Sequence, residues 1–348
     1  MEEIFAGLLI FVPIAVIADA LGASPIAIFF LSALAIIPLA KFIGEATEEL
    51  AARTSPALGG FLNVTFGNAT ELIIGIFALR AGLIDVVKAS ITGSILGNLL
   101  LVLGTALFAG GLTHKKQTFN RTGALASGST LFFAVIALTM PALLLIVAPT
   151  TNPTSVEWLS ILIAACMVLL YIASLIFSLR THKHLYIEDA GRMDAAWSLG
   201  KSIAVLLGST LFVAWVSDIL VGAITPIANA LGWTPLFIGV VFIAIIGNAA
   251  EHASAVSTAI KNKLDLTLQI AVGSATQVAM FLAPVFVFIS LLFQNQLTLV
   301  FTTFELVSIF LSVLIVNIVI EDGESNWLEG AQLLIAYLII AIAFFIHP

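Results

Sequence analysis

Along this chain the hydrophobic positions neither alternate nor keep to one helical face. They run on in long unbroken stretches; residues 123–145, for example, carry no charged side chain. A helix that crosses a bilayer needs about 20 such residues. Membrane strands would instead alternate apolar and polar positions. Charges, prolines and glycines divide the stretches into eleven candidate helices, at roughly 4–21, 25–44, 57–80, 83–112, 123–145, 156–180, 197–220, 232–260, 265–293, 298–320 and 327–347. The longest connections are 45–56, 113–122, 146–155 and 181–196, none of which holds a separate soluble domain. The pattern predicts an all-α polytopic membrane protein.

Composition narrows this further. The 348 residues are 61% hydrophobic and 9% charged, with a mean hydropathy of +1.17. A soluble domain carries about 25% charged residues. A water-soluble globule, a disordered chain, a coiled coil and a nucleic-acid binder are thereby excluded. Cys166 is the one cysteine, so neither an intrachain disulfide nor a cysteine zinc site is available. The net charge of −7 matters less than where the charges sit. Met1-Glu2-Glu3 is acidic, unlike the start of a secretory signal, so the first apolar run is expected to be a retained helix. When the chain alternates sides through eleven helices, eleven of the 13 basic residues fall on one side. Only Arg80 and Lys88 fall on the other. The basic side is expected to be cytoplasmic. That places the N-terminus inside and Pro348 on the opposite side of the membrane.

An internal repeat is the most informative feature. Gly67-Asn68-Ala69-Thr70-Glu71 returns as Gly247-Asn248-Ala249-Ala250-Glu251, an offset of 180. The same offset carries Asp85 onto Asp265 and Gly93-Ser94 onto Gly273-Ser274. The expected organisation is an extra helix in residues 1–22, a first repeat in 23–180, a cytoplasmic linker in 181–196 and a second repeat in 197–348. Five helices per repeat is an odd number, so the second repeat enters the membrane upside down. Secondary transporters are often built this way, with the substrate site near the bilayer midplane between repeats.

Glu71 and Glu251 sit in the middle of apolar candidate helices. A carboxylate in hydrocarbon costs at least a few kcal/mol, so it must pair, take up a proton or face a hydrated cavity. Asn68 and Asn248 each precede a glutamate by three residues, which places amide and carboxylate on one helix face. On the following helices, Ser90, Ser94 and Asn98 line one face in the first repeat, and Ser274 and Gln277 in the second. These amides and hydroxyls serve equally well as ligands or as interhelical glue. His252 is a ligand, a proton relay or a packed core residue. Asp85 and Asp265 fall near helix starts, where they suit capping or compensation of the helix dipole.

The donors are all hard oxygen, which suits calcium, magnesium or manganese over zinc or copper. Two opposed carboxylates carry a charge of −2. One divalent cation neutralises it, and two protons neutralise it equally well. A pocket of this kind crosses the membrane compensated in either state, but not empty and ionised. That is the logic of cation/proton antiport. Glu45, Glu48 and Glu49 are expected to end the second helix, and Asp218 the seventh. Such acids flank an entrance or are simply solvated surface. Glu188, Asp189 and Asp194, with Ile187, Met193 and Trp197, would make a short amphipathic helix in the linker.

At these residues the sequence resembles the calcium/cation antiporter superfamily, and within it the CAX family of cation/proton exchangers. The matching segments run from Gly59 to Glu71, Gly93 to Asn98, Gly247 to Ala253, Gly273 to Gln277 and Asp322 to Gly330. The resemblance implies Ca²⁺/H⁺ exchange, with Glu71 and Glu251 carrying both the metal ion and the protons. It implies roles near the site for Asn68, Asn248, Ser94, Asn98, Ser274, Gln277 and His252, and a place on a proton or cation pathway for Glu48 and Asp218. Calcium is then a transported substrate, and no cofactor is expected. The partners are Ca²⁺, H⁺ and the lipid bilayer; a homo-oligomer is compatible with the sequence. The sodium/calcium branch usually places further acidic or polar ligands where this chain has Gln277, which favours protons over sodium. A cation channel is the other alternative. A membrane-embedded enzyme is not supported, since neither Gly-x-Ser-x-Gly nor His-Glu-x-x-His occurs.

Overall fold

The structure is a computed structural model that describes residues 2–54, 56–182 and 195–346. It is helical almost throughout. The leading segment consists of α1 (Glu2–Leu8) and α2 (Phe11–Ala20). A long helix, α3 (Pro25–Ala51), begins where the Ser24 hydroxyl accepts from the Ala27 N–H and Pro25 supplies a first-turn residue with no N–H to satisfy. Next come α4 (Pro56–Gly67) and α5 (Ala69–Arg80), followed by α6 (Ile84–Leu96) and α7 (Leu103–Thr113), which a π-helical stretch at Gly97–Val102 joins into one rod. Asn120 caps α8 (Arg121–Val147), and Asn152 caps α9 (Pro153–Ile176). In the second half α10 (Leu199–Leu231) is followed by α11 (Pro235–Phe237), a π-helical stretch at Ile238–Ile243, α12 (Ala244–Gly247) and α13 (Ala249–Ile260). The chain continues through α14 (Leu264–Gln277), a π-helical stretch at Val278–Leu282, α15 (Ala283–Ser290), α16 (Thr303–Val319) and α17 (Trp327–Ile346).

Among the described residues, seven helices are long and apolar enough to cross a membrane. The pair Pro235–Gly247 and Ala249–Ile260, bent by 60°, brings the number to eight. Phe5–Ala20 and Thr303–Val319 are shorter apolar helices.

Two boundaries differ from the sequence expectation for one reason. The second helix does not stop at residue 44 but continues to Ala51, so Glu45, Glu48 and Glu49 occupy its final turns. The seventh runs to Leu231, so Asp218 lies in its interior instead of at its end. Glutamate is a good helix former, and a charged residue marks the edge of the apolar zone without ending the hydrogen-bonded rod. Lys41 and Glu45 pair at 3.0 Å across one turn of α3. The sequence pattern also missed a strand pair. β1 (Gln117–Thr118) and β2 (Glu324–Ser325) run antiparallel, with Gln117 opposite Ser325.

Connections expected on the same side of the membrane do meet. At one end, the Gln117 amide donates to the Ala259 carbonyl at 2.8 Å and to Asn262 at 3.0 Å. Asp265 there accepts from the Asn120 N–H at 2.7 Å, and Lys116 pairs with Glu324. At the other end, Lys88 donates to the Val300 carbonyl at 2.9 Å, and the Leu299 N–H donates to Ser160. Glu305 lies on this second side, in the first turn of α16, and is only 2% exposed. It accepts from the Thr302 N–H, the Thr302 hydroxyl and, across the helix interface, the Thr92 hydroxyl of α6. All three partners donate to this carboxylate, and the bond from Thr92 holds α16 to α6.

Small residues set the closest approach between the two halves. A Cβ on Gly93 of α6 would sit 2.2 Å from the Val240 carbonyl oxygen and 2.6 Å from its Cα. Backbone therefore packs directly on backbone there. Gly273, the repeat mate of Gly93, meets no atom of the described residues beyond its own helix backbone within 4 Å. Among the described residues the two positions are thus unequal. Gly93→Ala is expected to destabilise the protein by about 1–3 kcal/mol, the usual range for overpacking. Gly273→Ala should be close to neutral. Melting of the two purified variants in detergent, followed by tryptophan fluorescence, makes the comparison.

Candidate cation site at two broken helices

The sequence pattern places Glu71 and Glu251 in the middle of continuous helices. In the structure both helices break at the asparagine three residues earlier. Asn68 has φ −100° and ψ 19°, and Asn248 has φ −95° and ψ 14°, a sparsely used bridge between helix and strand conformations. The chain resumes helix one residue later, so Glu71 and Glu251 each fall in the first turn of a new half-helix. There the unpaired N–H groups and the positive end of the helix dipole favour negative charge. The two breaks repeat in detail. The Leu72 N–H returns to the Asn68 carbonyl at 3.0 Å, and the His252 N–H to the Asn248 carbonyl at 3.1 Å. The π-helical stretch at 97–102 maps by the same offset of 180 onto 277–282, where the second half has Val278–Leu282 in the same conformation. Such stretches are rare and frequent at functional sites.

Neither asparagine caps its own half-helix with its side chain. Both reach across to the other half of the molecule. The Asn248 amide donates to Ser94 Oγ at 3.0 Å and to the Ala244 carbonyl at 2.9 Å. Its Oδ1 accepts from the Asn98 amide at 2.8 Å. In the opposite direction the Asn68 amide donates to Gln277 Oε1 at 2.8 Å. Each break is therefore tied to the serine–amide face of the other repeat. The candidates Asn68, Asn248, Ser94, Asn98 and Gln277 form this one cross-braced set. Ser274 and His252 lie half-buried on the same two elements of the second half.

The carboxylates complete the set. Glu71 is 7% exposed, and both of its oxygens are buried without a hydrogen-bond partner. Its side chain lies across the second break: a Cβ on Gly247 would come within 2.7 Å of Glu71 Cγ and 3.1 Å of its Cδ. Glu251 Oε2 and Asn98 Oδ1 are likewise buried and unpartnered. Glu71 is within electrostatic reach of Glu251, and so is Glu48, on the terminal turns of α3. The structure therefore brings Glu48 towards the site, while Asp218 sits on an exposed face of α10. Among the described residues no three of His, Cys, Asp and Glu gather to hold a metal ion. The cluster instead offers two carboxylates supplemented by amide and hydroxyl oxygens. That donor chemistry fits a hard divalent cation taken up and released in transit.

The linker acids Glu188, Asp189 and Asp194 lie outside the described residues. The end of the linker is visible, and it is clamped to α3. Glu49 accepts from the N–H groups of Ala196 and Trp197 at 3.2 and 2.9 Å, and Arg53 donates to the Trp197 carbonyl. Sequence reasoning missed the breaks themselves. An asparagine flanked by small residues in a hydrophobic run was the available signal.

A bundle of apolar helices with a carboxylate at each of two matched breaks is the architecture of a cation transporter with internal repeats. The chain belongs to the sodium/calcium exchanger protein family, whose pattern it matches twice, over residues 24–180 and 201–346. It is 44% identical to a Ca(2+)/H(+) antiporter of Synechocystis sp., over all of this chain and 98% of that one. It is 45% identical to the Ca(2+)/H(+) antiporter ChaA of Bacillus subtilis, with 96% of each covered. Among solved structures, native YfkE superposes with a TM-score of 0.87 at 42% identity, covering 99% of both chains. The fold is shared more distantly with an H+/Ca2+ exchanger, CAX, at a TM-score of 0.74 and 15% identity.

The contact between Glu71 and Gly247 can be tested directly. Gly247→Ala pushes a methyl group into the Glu71 side chain, and calcium affinity should fall by on the order of tenfold, or about 1.4 kcal/mol. Gly67→Ala meets only an ordinary contact, Asn63 Oδ1 at 3.8 Å, and should bind normally. Calorimetric titration of both variants with calcium measures the difference.

Proposed function

We propose that this protein is a secondary antiporter that exchanges Ca²⁺ for H⁺, with Glu71 and Glu251 shared by the cation and the protons. The observation that carries the reading is the Glu71 carboxylate. It is buried, has no hydrogen-bond partner, and lies against the break of the opposite repeat, in electrostatic contact with Glu251. Two such carboxylates cannot stay ionised and uncompensated in a membrane interior. One calcium ion or two protons neutralise them, so loading with one species displaces the other. Asn98 Oδ1 and the remaining amide and hydroxyl oxygens complete the shell that a calcium ion requires. The relatives named as Ca²⁺/H⁺ antiporters over their full length support the same pairing of substrates.

Access alternates by exchange of roles between the two inverted repeats, 23–180 and 197–348. The unequal interfaces support this. Gly93 packs tightly on the 238–243 stretch, whereas among the described residues nothing packs on its mate Gly273. Closing the second interface and opening the first would expose the site to the other side. Glu48 marks the cytoplasmic approach, because α3 packs against α13 and carries the acid towards Glu251.

The test is reconstitution into vesicles with an imposed pH gradient. Calcium should accumulate against its gradient and stop when a protonophore collapses the pH difference. Glu71→Gln and Glu251→Gln should each reduce uptake to the level of protein-free vesicles while the variants remain folded. Uptake that survives either substitution contradicts the site. Uptake that ignores pH and needs a sodium gradient assigns the chain a sodium-coupled cycle instead.

A further inference from the structure

Gln117 lies outside the helices that carry the candidate ligands, yet it holds one of them. It is 1% exposed. Its amide nitrogen donates to the Ala259 carbonyl at 2.8 Å and to Asn262 Oδ1 at 3.0 Å. Ala259 belongs to the last turn of α13, whose first turn carries Glu251. A ring nitrogen of His114 lies 3.1 Å from the Ile260 carbonyl, so two side chains of one connection meet the final carbonyls of that half-helix. Gly110 of α7 leaves the space that the glutamine fills: a Cβ there would collide with the Gln117 amide. The hydroxyls of Thr258 and Thr267, 2.8 Å apart, tie the same half-helix to α14.

The offset of 180 gives the counterparts around α5. Thr258 corresponds to Ala78, Thr267 to Val87 and Gln117 to Leu297, all apolar and at most 2% exposed. Gly110 corresponds to Ser290, whose hydroxyl accepts from the Leu297 N–H at 2.8 Å. That bond joins α15 to the loop that follows it and reaches neither half-helix. The far end of α13 is thus fastened by polar bonds, whereas the matching positions around α5, which carries Glu71, are apolar.

The difference matters because α13 is short and hinged. It has 12 residues and meets the helical segment before it at a bend of 60°. Across such a break the hydrogen-bond ladder does not carry the register of one segment into the next. Glu251 and Ala259 are eight residues apart, about 12 Å along the rod. With a hinge at one end, a shift of the other end displaces the carboxylate. A binding group must be held within about 0.5 Å of its productive position.

We propose that Gln117 is a positioning residue of the cation site: by holding the far end of α13 it fixes where Glu251 stands. The role rests on the assignment of Glu251 to the site, and calcium binding tests it separately from proton exchange.

The experiment compares Gln117→Met, similar in length but without the amide, with the unsubstituted protein and with Ser290→Ala. Both substitutions remove buried hydrogen bonds, so both should lower the melting temperature in detergent. Ser290→Ala supplies that loss of stability on α15, away from α13. Calorimetric titration below the melting temperatures should find calcium bound about threefold to tenfold more weakly by Gln117→Met and normally by Ser290→Ala. At a fixed calcium concentration, the pH below which calcium is lost should move upward in Gln117→Met alone, because a weakly held cation yields to protons sooner. Asn262→Gly removes one of the two acceptors of Gln117, and glycine accepts the left-handed backbone there, at φ 56°. It should weaken binding by about twofold to fivefold, and it carries the test if Gln117→Met does not fold. Unchanged calcium affinity in the variant that carries the test overturns the proposal, and so does equal weakening in Ser290→Ala. Calcium binding that ignores pH in the unsubstituted protein contradicts the proposed function and leaves the comparison of affinities readable.

Discussion

Two carboxylates placed in an apolar bundle constrain everything around them. Among the described residues no lysine or arginine is paired with either, and both oxygens of Glu71 lack a hydrogen-bond partner. The energetic cost of this arrangement is met only when charge arrives from elsewhere. The broken helices answer that constraint. Each glutamate sits where a half-helix begins, so unpaired backbone N–H groups moderate its charge without neutralising it. A fully paired carboxylate would be stable and inert. Glu305 shows the contrast within the same molecule: three donors satisfy it, and it serves to hold α16 to α6.

The asparagines at the breaks do a second job. A break in a membrane helix exposes backbone polar groups, and these are tolerated only where protein or a hydrated cavity can satisfy them. Asn68 and Asn248 make that interruption, and their side chains also reach to the opposite half. The two halves are thereby braced through the residues that surround the carboxylates. In the proposed exchange cycle, motion of one half against the other would pass through this set.

Much of this was legible in the sequence, and the limits have physical causes. Hydropathy gave the helical class, because a bilayer demands long apolar runs. The repeat offset paired Glu71 with Glu251 and Ser94 with Ser274, because a duplicated site preserves its polar residues. Charges misplaced the ends of α3 and α10, since they report the membrane boundary and not the helix boundary. The breaks at Asn68 and Asn248 left no proline and no polar run to betray them. Glu305 was passed over because a carboxylate near a helix start resembles a surface residue; its burial depends on Thr92, 213 positions away. The strand pair at Gln117 and Ser325 is too short to leave a pattern.

The central claim is that calcium and protons occupy the same two carboxylates. Its most direct measurement is the release of protons when calcium binds to purified protein in weak buffer, followed by a pH-sensitive dye. The account predicts that protons leave as calcium binds, and that Glu71→Gln combined with Glu251→Gln abolishes the signal together with binding. Calcium bound at this site with no release of protons, across the pH range in which the protein transports, would contradict it.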